Sequence, residues 1–408
     1  MPRDGTIPVR GARALDLLNF FVADVQTGFG PFVAVYLTVH KWPQTDIGMA
    51  LSLGTVVALV SQIPGGVLVD AAKSKRRVAG AGLVGVMAAA LLLALWPAEL
   101  PVLLAQVLHG VASCLVSPAI AAISLNLVGH SELGERLGRN ARFGSIGNGL
   151  AAAVMGLSGL YLSSRAVFWL TAALCVPALA ALAAIGRGTH ARRQTTAGPL
   201  DWQGLGKLFR DRRLLIFAAC VVLFHLSNAA MLPLAGAAVT MRAGNLGNLI
   251  IGACIVVPQA VVAHASPWVG RRAAVAGRRQ VLLLGWLALP VRGVLLAVLP
   301  GPYLLVGGQA VAGISAAVFG VMLPLVAADL TRGTSHFNLC LGLLGVAVCV
   351  GAAISTTLAG WVADAAGVNV AFLSLALAGL AGAVLVWAAM PETASDETGA
   401  SGLPEASA

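Results

Sequence analysis

The sequence predicts an all-α integral membrane protein in which twelve transmembrane helices form two pseudo-symmetric six-helix bundles. Three observations carry this reading. The chain is 58% hydrophobic and 10% charged, with a mean hydropathy of +0.89; soluble domains carry about 25% charged residues. Apolar runs of about 20 residues, the length that crosses a bilayer as helix, recur along its length. A charged hairpin between two such runs, Gly66-Val67-Leu68-Val69-Asp70-Ala71-Ala72-Lys73-Ser74-Lys75-Arg76-Arg77, has an eroded second copy 204 positions later, from Gly270 to Arg279. A repeat halfway along such a chain marks a duplicated membrane protein.

The spans follow in order. Span 1 (15–38) holds Asp24, and span 2 (47–69) holds Pro64 and runs into the first hairpin. Span 3 (78–96) ends at Trp96-Pro97, and span 4 (102–126) contains Gln106, His109 and Pro118. Span 5 (141–162) is glycine-rich, and span 6 (166–186) follows Arg165. Span 7 (214–239) carries His225 and Asn228, and span 8 (247–269) carries Pro258 and His264 before the second hairpin. Span 9 (280–299) holds Pro290 and Arg292, span 10 (302–326) holds Gln309, and spans 11 (338–360) and 12 (368–389) complete the second half. Glycine and proline are common in transmembrane helices.

Charge placement sets the orientation. With the N-terminus inside, 22 of the 26 Lys and Arg residues fall on cytoplasmic segments. The opposite side receives Lys41, Arg165 and Arg242, and Arg292 lies within a span. The positive-inside rule therefore puts both termini in the cytoplasm. A net charge of +10 distributed in this way reads as topology, with no call for a nucleic-acid partner. The first run holds Asp24 and precedes many further spans, so it reads as a retained helix and not a cleaved signal.

The chain divides into an N-terminal bundle (1–186), a basic linker (187–213), a C-terminal bundle (214–390) and a tail (391–408) expected to be disordered. The linker contains a short amphipathic candidate, Asp201-Trp202-Gln203-Gly204-Leu205-Gly206-Lys207-Leu208-Phe209, suited to the membrane surface. Cys114, Cys175, Cys220, Cys254, Cys340 and Cys349 all lie in apolar runs without a CxxC pair, and read as packing residues with no metal or disulfide role. The repeat extends beyond the hairpin at an offset of 203. Leu93-Ala94-Leu95-Trp96-Pro97 matches Leu296-Ala297-Val298-Leu299-Pro300, and Gln106-Val107-Leu108-His109-Gly110 matches Gln309-Ala310-Val311-Ala312-Gly313.

Two six-helix halves, a central basic loop and this hairpin resemble the major facilitator superfamily of secondary transporters. The family's loop signature reads Gly-x-Leu-x-Asp-Arg-x-Gly-Arg-Lys. Gly66, Leu68 and Asp70 match it, Ala71 replaces its first arginine, and Arg76 and Arg77 belong to a shifted basic cluster. The second copy keeps Gly270, Gly277, Arg278 and Arg279 but has Ala274 in place of the acid. The resemblance implies a gate. Asp70 accepts hydrogen bonds from a helix N-terminus or an arginine of the facing half in one access state and loses them in the other. The plainer alternative is that these charges only fix topology. Span 4 lacks the arginine that the family links to proton transfer, and Gly144-Ser145-Ile146-Gly147-Asn148-Gly149 in span 5 lacks the Gly-Pro pair of antiporters. Asp24-Val25-Gln26-Thr27-Gly28-Phe29-Gly30-Pro31 and Ala328-Asp329-Leu330-Thr331-Arg332-Gly333-Thr334 resemble bacterial permeases of no defined substrate.

Ionisable residues at membrane depth are costly and mark function. Asp24 lies about 16 Å along its helix from Arg13, near the midplane. It reads as a proton carrier or a counter-charge, against the alternative of a structurally paired acid. The resemblance puts helices 1, 4, 7 and 10 around a central cavity, which gives Gln26, Gln106, His109, His225, Asn228 and Gln309 a place on the substrate or proton path. The plainer reading of each histidine taken alone is a hydrogen-bonded core residue, and the glutamines equally join helices. Arg292 can attract an anion or pair with an acid, although the family places helix 9 at the periphery. The expectation is a secondary transporter of a small molecule. It is proton-coupled, monomeric, without a cofactor, in the inner (plasma) membrane, and directed to export, with uptake of a metabolite or siderophore as the alternative. An enzyme is disfavoured, since the chain has no HExxH, GxSxG or phosphate loop.

Overall fold

The computed structural model describes residues 9–27, 29, 31–42, 44–185, 206, 210–235, 246–298 and 301–393. No strand occurs among them. The helices are α1 (Val9–Thr27), α2 (Pro31–Val39), α3 (Gln44–Ala71), α4 (Lys75–Leu95), α5 (Glu99–Val128), α6 (Leu133–Tyr161) and α7 (Ser164–Ala184). The second half contains α8 (Arg212–Asn228), α9 (Leu246–Ala276), α10 (Arg278–Val298), α11 (Pro302–Leu330), α12 (Phe337–Ala366) and α13 (Val368–Ala389). The described parts of the twelve expected spans fall on this framework. Span 1 is divided between α1 and α2, and span 7 pauses in a turn at Ala229–Ala230 before a short helical stretch over 231–235. Among the described residues nine helices are long and apolar enough, taken singly, to cross a membrane. The expected linker helix at 201–209 and the tail beyond 393 lie outside the described residues, apart from Gly206.

Local chemistry explains where helices start and stop. Ser74, Ser163 and Asp211 cap α4, α7 and α8 by accepting a backbone N–H with their side-chain oxygens. Gly129, Gly277 and Gly367 adopt φ of 74°, 88° and 93°, a left-handed backbone that glycine takes at little cost where a helix ends. The two hairpins use one further device. Lys75 Nζ donates to the carbonyls of Val69, Asp70 and Ala72 at 2.6, 2.8 and 3.2 Å, closing the last turn of α3. Arg278, 203 positions on, donates to Ala273 O at 3.0 Å and closes α9 in the same way.

The two halves meet along two seams related by the repeat. In one, α3 lies on α12. A Cβ at Gly66 would strike the Asn338 carbonyl, and one at Gly342 would strike the Gln62 carbonyl. In the other, α9 lies on α6, with Gly270 against the Gly134 carbonyl and Gly138 against the Ser266 carbonyl. Gly66 and Gly270, Gln62 and Ser266, Gly134 and Asn338, and Gly138 and Gly342 are all 204 positions apart. Glycine allows this backbone approach, which in a membrane replaces the hydrophobic effect as the source of helix association.

The seams unite the halves towards the face that carries the hairpins, termed here the basic face. A single buried cluster there joins Ala122, Leu125, Leu133 and Leu137 of the first half to Phe217, Leu325, Phe337 and Leu344 of the second. Towards the opposite face the cores separate into one around Tyr36, Leu93 and Phe168 and another around Met231, Leu305 and Phe372. The outer turns of α3 and α12 expose Val56, Val60, Ile354 and Trp361.

A buried ion network fixes the basic end of α6, which bears the second seam. Asp16 of α1 accepts from Arg136 Nη2 and, with both oxygens, from Arg139 at 2.6–3.0 Å. Arg136 Nε donates to Asn140 Oδ1 at 2.9 Å, and Asn140 Nδ2 donates to Ser124 Oγ at 2.8 Å. The side chains of Asp16 and Arg136 are 5% and 4% exposed. Removing one partner of such a pair leaves a buried uncompensated charge, at about 3–5 kcal/mol. Asp16→Asn is therefore expected to lower the unfolding midpoint in detergent by several degrees. Asp46→Asn, at the opposite face, is expected to leave it unchanged; equal midpoints for the two variants would contradict a structural role for this network.

Candidate functional site

The first site is the contact between α3 and α12. A helix begins with amides that have no internal partner. Here they meet an acid from the other half. Asp70 Oδ1 accepts from the Asn338 backbone N–H at 3.1 Å and from Asn338 Nδ2 at 2.6 Å, and Oδ2 accepts from the Leu339 N–H at 2.8 Å. Asp70 is 7% exposed. A carboxylate on a helix N-terminus also gains from the macrodipole. Gly66, one turn earlier, admits the α12 backbone to the distance that these bonds need.

The basic residues singled out from sequence do not reach across. Arg76 Nη2 donates to Ala183 O of α7 at 2.9 Å, and Arg77 is exposed. Arg278 pairs with Asp329 at 2.9 Å, and Arg279 donates to the Trp387 carbonyl. Each of these contacts stays within one half. Gly270 does join the halves, on the second seam, where Ala274 offers no acid and Gly134 stands in the place of Asn338. The C-terminal segment adds a tie of its own. Glu392 accepts from the Arg278 and Arg279 backbone N–H groups at 2.7 and 3.1 Å, capping α10, and Thr393 donates to Asp329 at 3.3 Å.

The second site lies around Asp24 near the end of α1. The side chain is 3% exposed, and its Oδ1 is buried without a hydrogen-bond partner among the described residues. Gly147 of α6 leaves room for it; a Cβ there would stand 3.1 Å from that oxygen. Gln26 is half-buried one residue before the end of α1. His109 stacks on Phe29 with ring centroids 3.8 Å apart, and its Nε2 lies 3.2 Å from Ser113 Oγ. Gln106 is buried against Gly54 of α3. No described hydrogen bond joins Asp24 to His109 or to His225.

The third site lies in the other half and is built around Arg292, which is 2% exposed. Its Nη1 donates to Asn228 Oδ1 at 2.7 Å and its Nη2 to Gln309 Oε1 at 3.1 Å. Three helices, α8, α10 and α11, thus converge on one guanidinium. The described ion pairs include none to Arg292. Arg292 Nε, Gln309 Nε2 and His225 Nε2 are buried without partners among the described residues. The His225 ring rests against Phe319, with centroids 4.8 Å apart.

Sequence reasoning passed over Asp16, Arg136, Asn338, Asp329 and Glu392 as partners. Arg136 and Arg139 are one turn apart on a helix, a spacing that aims both at one acid. That was the readable signal for an unidentified carboxylate. The other pairings join residues far apart in the chain and leave no local trace.

Three comparisons bear on these sites. The family model described as Major Facilitator Superfamily matches residues 15–239 and 220–408. An uncharacterized MFS-type transporter of Mycobacterium tuberculosis, found in strains CDC 1551 and H37Rv, is 40% identical over 403 residues, covering 96% of each chain. Among solved structures, the transporter FucP in its outward conformation is similar at a TM-score of 0.76 and 16% identity, over 94% of this chain and 99% of that one. The human organic anion transporter MFSD10 is similar at a TM-score of 0.73 and 15% identity, over 95% and 100%.

The first site yields a test. Asp70→Asn removes the charge and one acceptor from three hydrogen bonds, each worth about 1.5–3 kcal/mol when an ion takes part. Spin labels at Ser52→Cys of α3 and Trp361→Cys of α12 report the separation of the outer ends. Asp70→Asn is expected to add a population of shorter distances, a shift of about tenfold or more between states. An unaltered distance distribution would count against a latch.

Proposed function

The chain belongs to the Major Facilitator Superfamily as a multi-pass membrane transporter, and on that premise we propose that it is a proton-coupled secondary transporter of a small molecule, working by alternating access. The observation that carries the coupling is Asp24, a carboxylate at membrane depth with a buried oxygen that no described group satisfies. A buried anion without a partner is expensive, and taking up a proton removes that cost. Binding and release of that proton then change the relative energies of the two access states.

The basic face is the cytoplasmic one, and both termini lie inside. The arrangement with both seams closed there is the outward-facing state, in keeping with the separate cores towards the other face. The halves 1–186 and 214–390 rock about the seams, and the linker 187–213 tethers them. Opening inward breaks the Asp70 contacts with α12 and parts Gly134 from Gly270. The chain acts as a monomer in the inner membrane. Export, the direction expected from the sequence, needs proton and solute to occupy the protein alternately. Uptake needs them together, and one carboxylate serves either scheme.

Proteoliposomes containing a trapped pH indicator test this reading, since any coupled solute changes internal pH when added. Asp24→Asn is expected to abolish pH-gradient-driven flux of that solute by at least tenfold while leaving solute–solute counterflow intact. Undiminished gradient-driven flux in Asp24→Asn would remove Asp24 from the coupling. The sign of the pH change in the unaltered protein separates export from uptake.

A further inference from the structure

We propose that Arg292, Asn228 and Gln309 form a binding site for the carboxylate group of a monoanionic organic solute; the inference rests on the transporter reading and names its substrate class.

The argument starts from charge. A guanidinium stays protonated in a protein, so Arg292 cannot become neutral as a buried lysine does. It is 2% exposed and lies within α10, yet its described partners are two neutral amides. A tie between three helices needs hydrogen bonds and not charge; a glutamine would make one without burying an ion. An unpaired buried cation in a membrane costs several kcal/mol. An arriving anion offsets that cost.

The orphaned atoms fix the sign of the ligand independently. The amide oxygens of Asn228 and Gln309 are turned to the guanidinium, because arginine can only donate. That orientation leaves the Gln309 NH2 as a donor, and its Nε2 is buried without a partner among the described residues. Arg292 Nε is a second buried donor without one. Arg292 Nε and Gln309 Nε2, two donors around one positive charge, call for an acceptor carrying one negative charge. A carboxylate supplies two acceptor oxygens in the geometry that a guanidinium matches. A doubly charged phosphate would leave one charge uncompensated, as no second Lys or Arg lies at this depth in α8, α10 or α11.

Position and backbone agree. Arg292 is six residues before the end of α10, and Gln309 seven after the start of α11. At 1.5 Å per residue both lie about 9–10 Å in from the face opposite the hairpins, the one towards which the two cores separate. The third residue, Asn228, is half-buried and closes α8 just before the turn at Ala229–Ala230. Ser355 of α12 takes up the Ala230 N–H at 3.1 Å. Interrupted helices at membrane depth are tolerated where they line a cavity.

Thermal unfolding of the purified full-length protein tests the proposal without needing transport. Benzoate, salicylate and lactate are compared with benzamide, salicylamide and lactamide, which match them in shape but lack the charge. At least one carboxylate is expected to raise the unfolding midpoint in a saturable way, with its amide at least tenfold weaker. Arg292→Gln is expected to abolish that selectivity. A second variant guards against misfolding: Gln309→Glu places an acid beside Arg292, and should raise the unliganded midpoint while removing carboxylate binding. Amides binding as well as acids, Arg292→Gln keeping the preference, or Gln309→Glu binding carboxylates unchanged would each overturn the site. Binding without flux of the same carboxylate in proteoliposomes would overturn the transporter reading and leave the site standing. Flux of a neutral solute alone, with no carboxylate selectivity, would do the reverse.

Discussion

A transmembrane helix satisfies its own backbone everywhere except at its ends, and an end buried under another helix must find partners in protein. At the start of α12 that partner is Asp70, held by a different half of the molecule. The backbone approach at Gly66, the joint apolar core at the basic face and the separation of the cores beyond it all depend on the two halves being held at that point. An acid that serves a helix in its own half would stabilise the fold. An acid that serves the other half stabilises one relative position of the halves. The need for a partner thus ties α12 to α3 across the two halves.

The second seam reaches the same closeness without the acid. Gly134 and Gly138 present α6 to α9 as Asn338 and Gly342 present α12 to α3, yet Ala274 offers nothing to bond. What fixes α6 instead is Asp16, through Arg136 and Arg139, inside its own half. The first seam therefore carries hydrogen bonds between the halves, whereas the polar network described beside the second lies within one half. The membrane-depth charges show a comparable division. Among the described residues, the first half carries an acid with an unsatisfied oxygen, and the second a guanidinium with no acid.

Much of this was legible in the sequence because it is written in periods and contrasts. Twelve apolar runs and the 204-residue repeat of the hairpin fixed the number, order and pairing of helices, and Gly66 with Asp70 identified the seam before its partner was known. What stayed hidden was pairing at a distance. Nothing near Asp16 points to Arg136, 120 positions away, and nothing near Asp70 points to Asn338. The cationic centre is of the same kind: the Arg292 guanidinium bonds Asn228 and Gln309 on two other helices, 64 and 17 positions away. The break in α8 left no pattern either, as Ala229-Ala230 is a helix-forming pair on propensity and the interruption comes from the tertiary contact with Ser355.

The cap that Glu392 places on α10 orders events in time. The N-cap of α4 is Ser74, made just before the helix it serves, so the first half can finish its basic end as it emerges. The corresponding helix of the second half has its first two amides bonded by a residue that follows α13. Three more helices must be synthesised and inserted before that residue exists. The start of α10 is thus completed only once α13 and the segment after it are in place, whereas the start of α4 takes its N-cap from its own neighbour, Ser74.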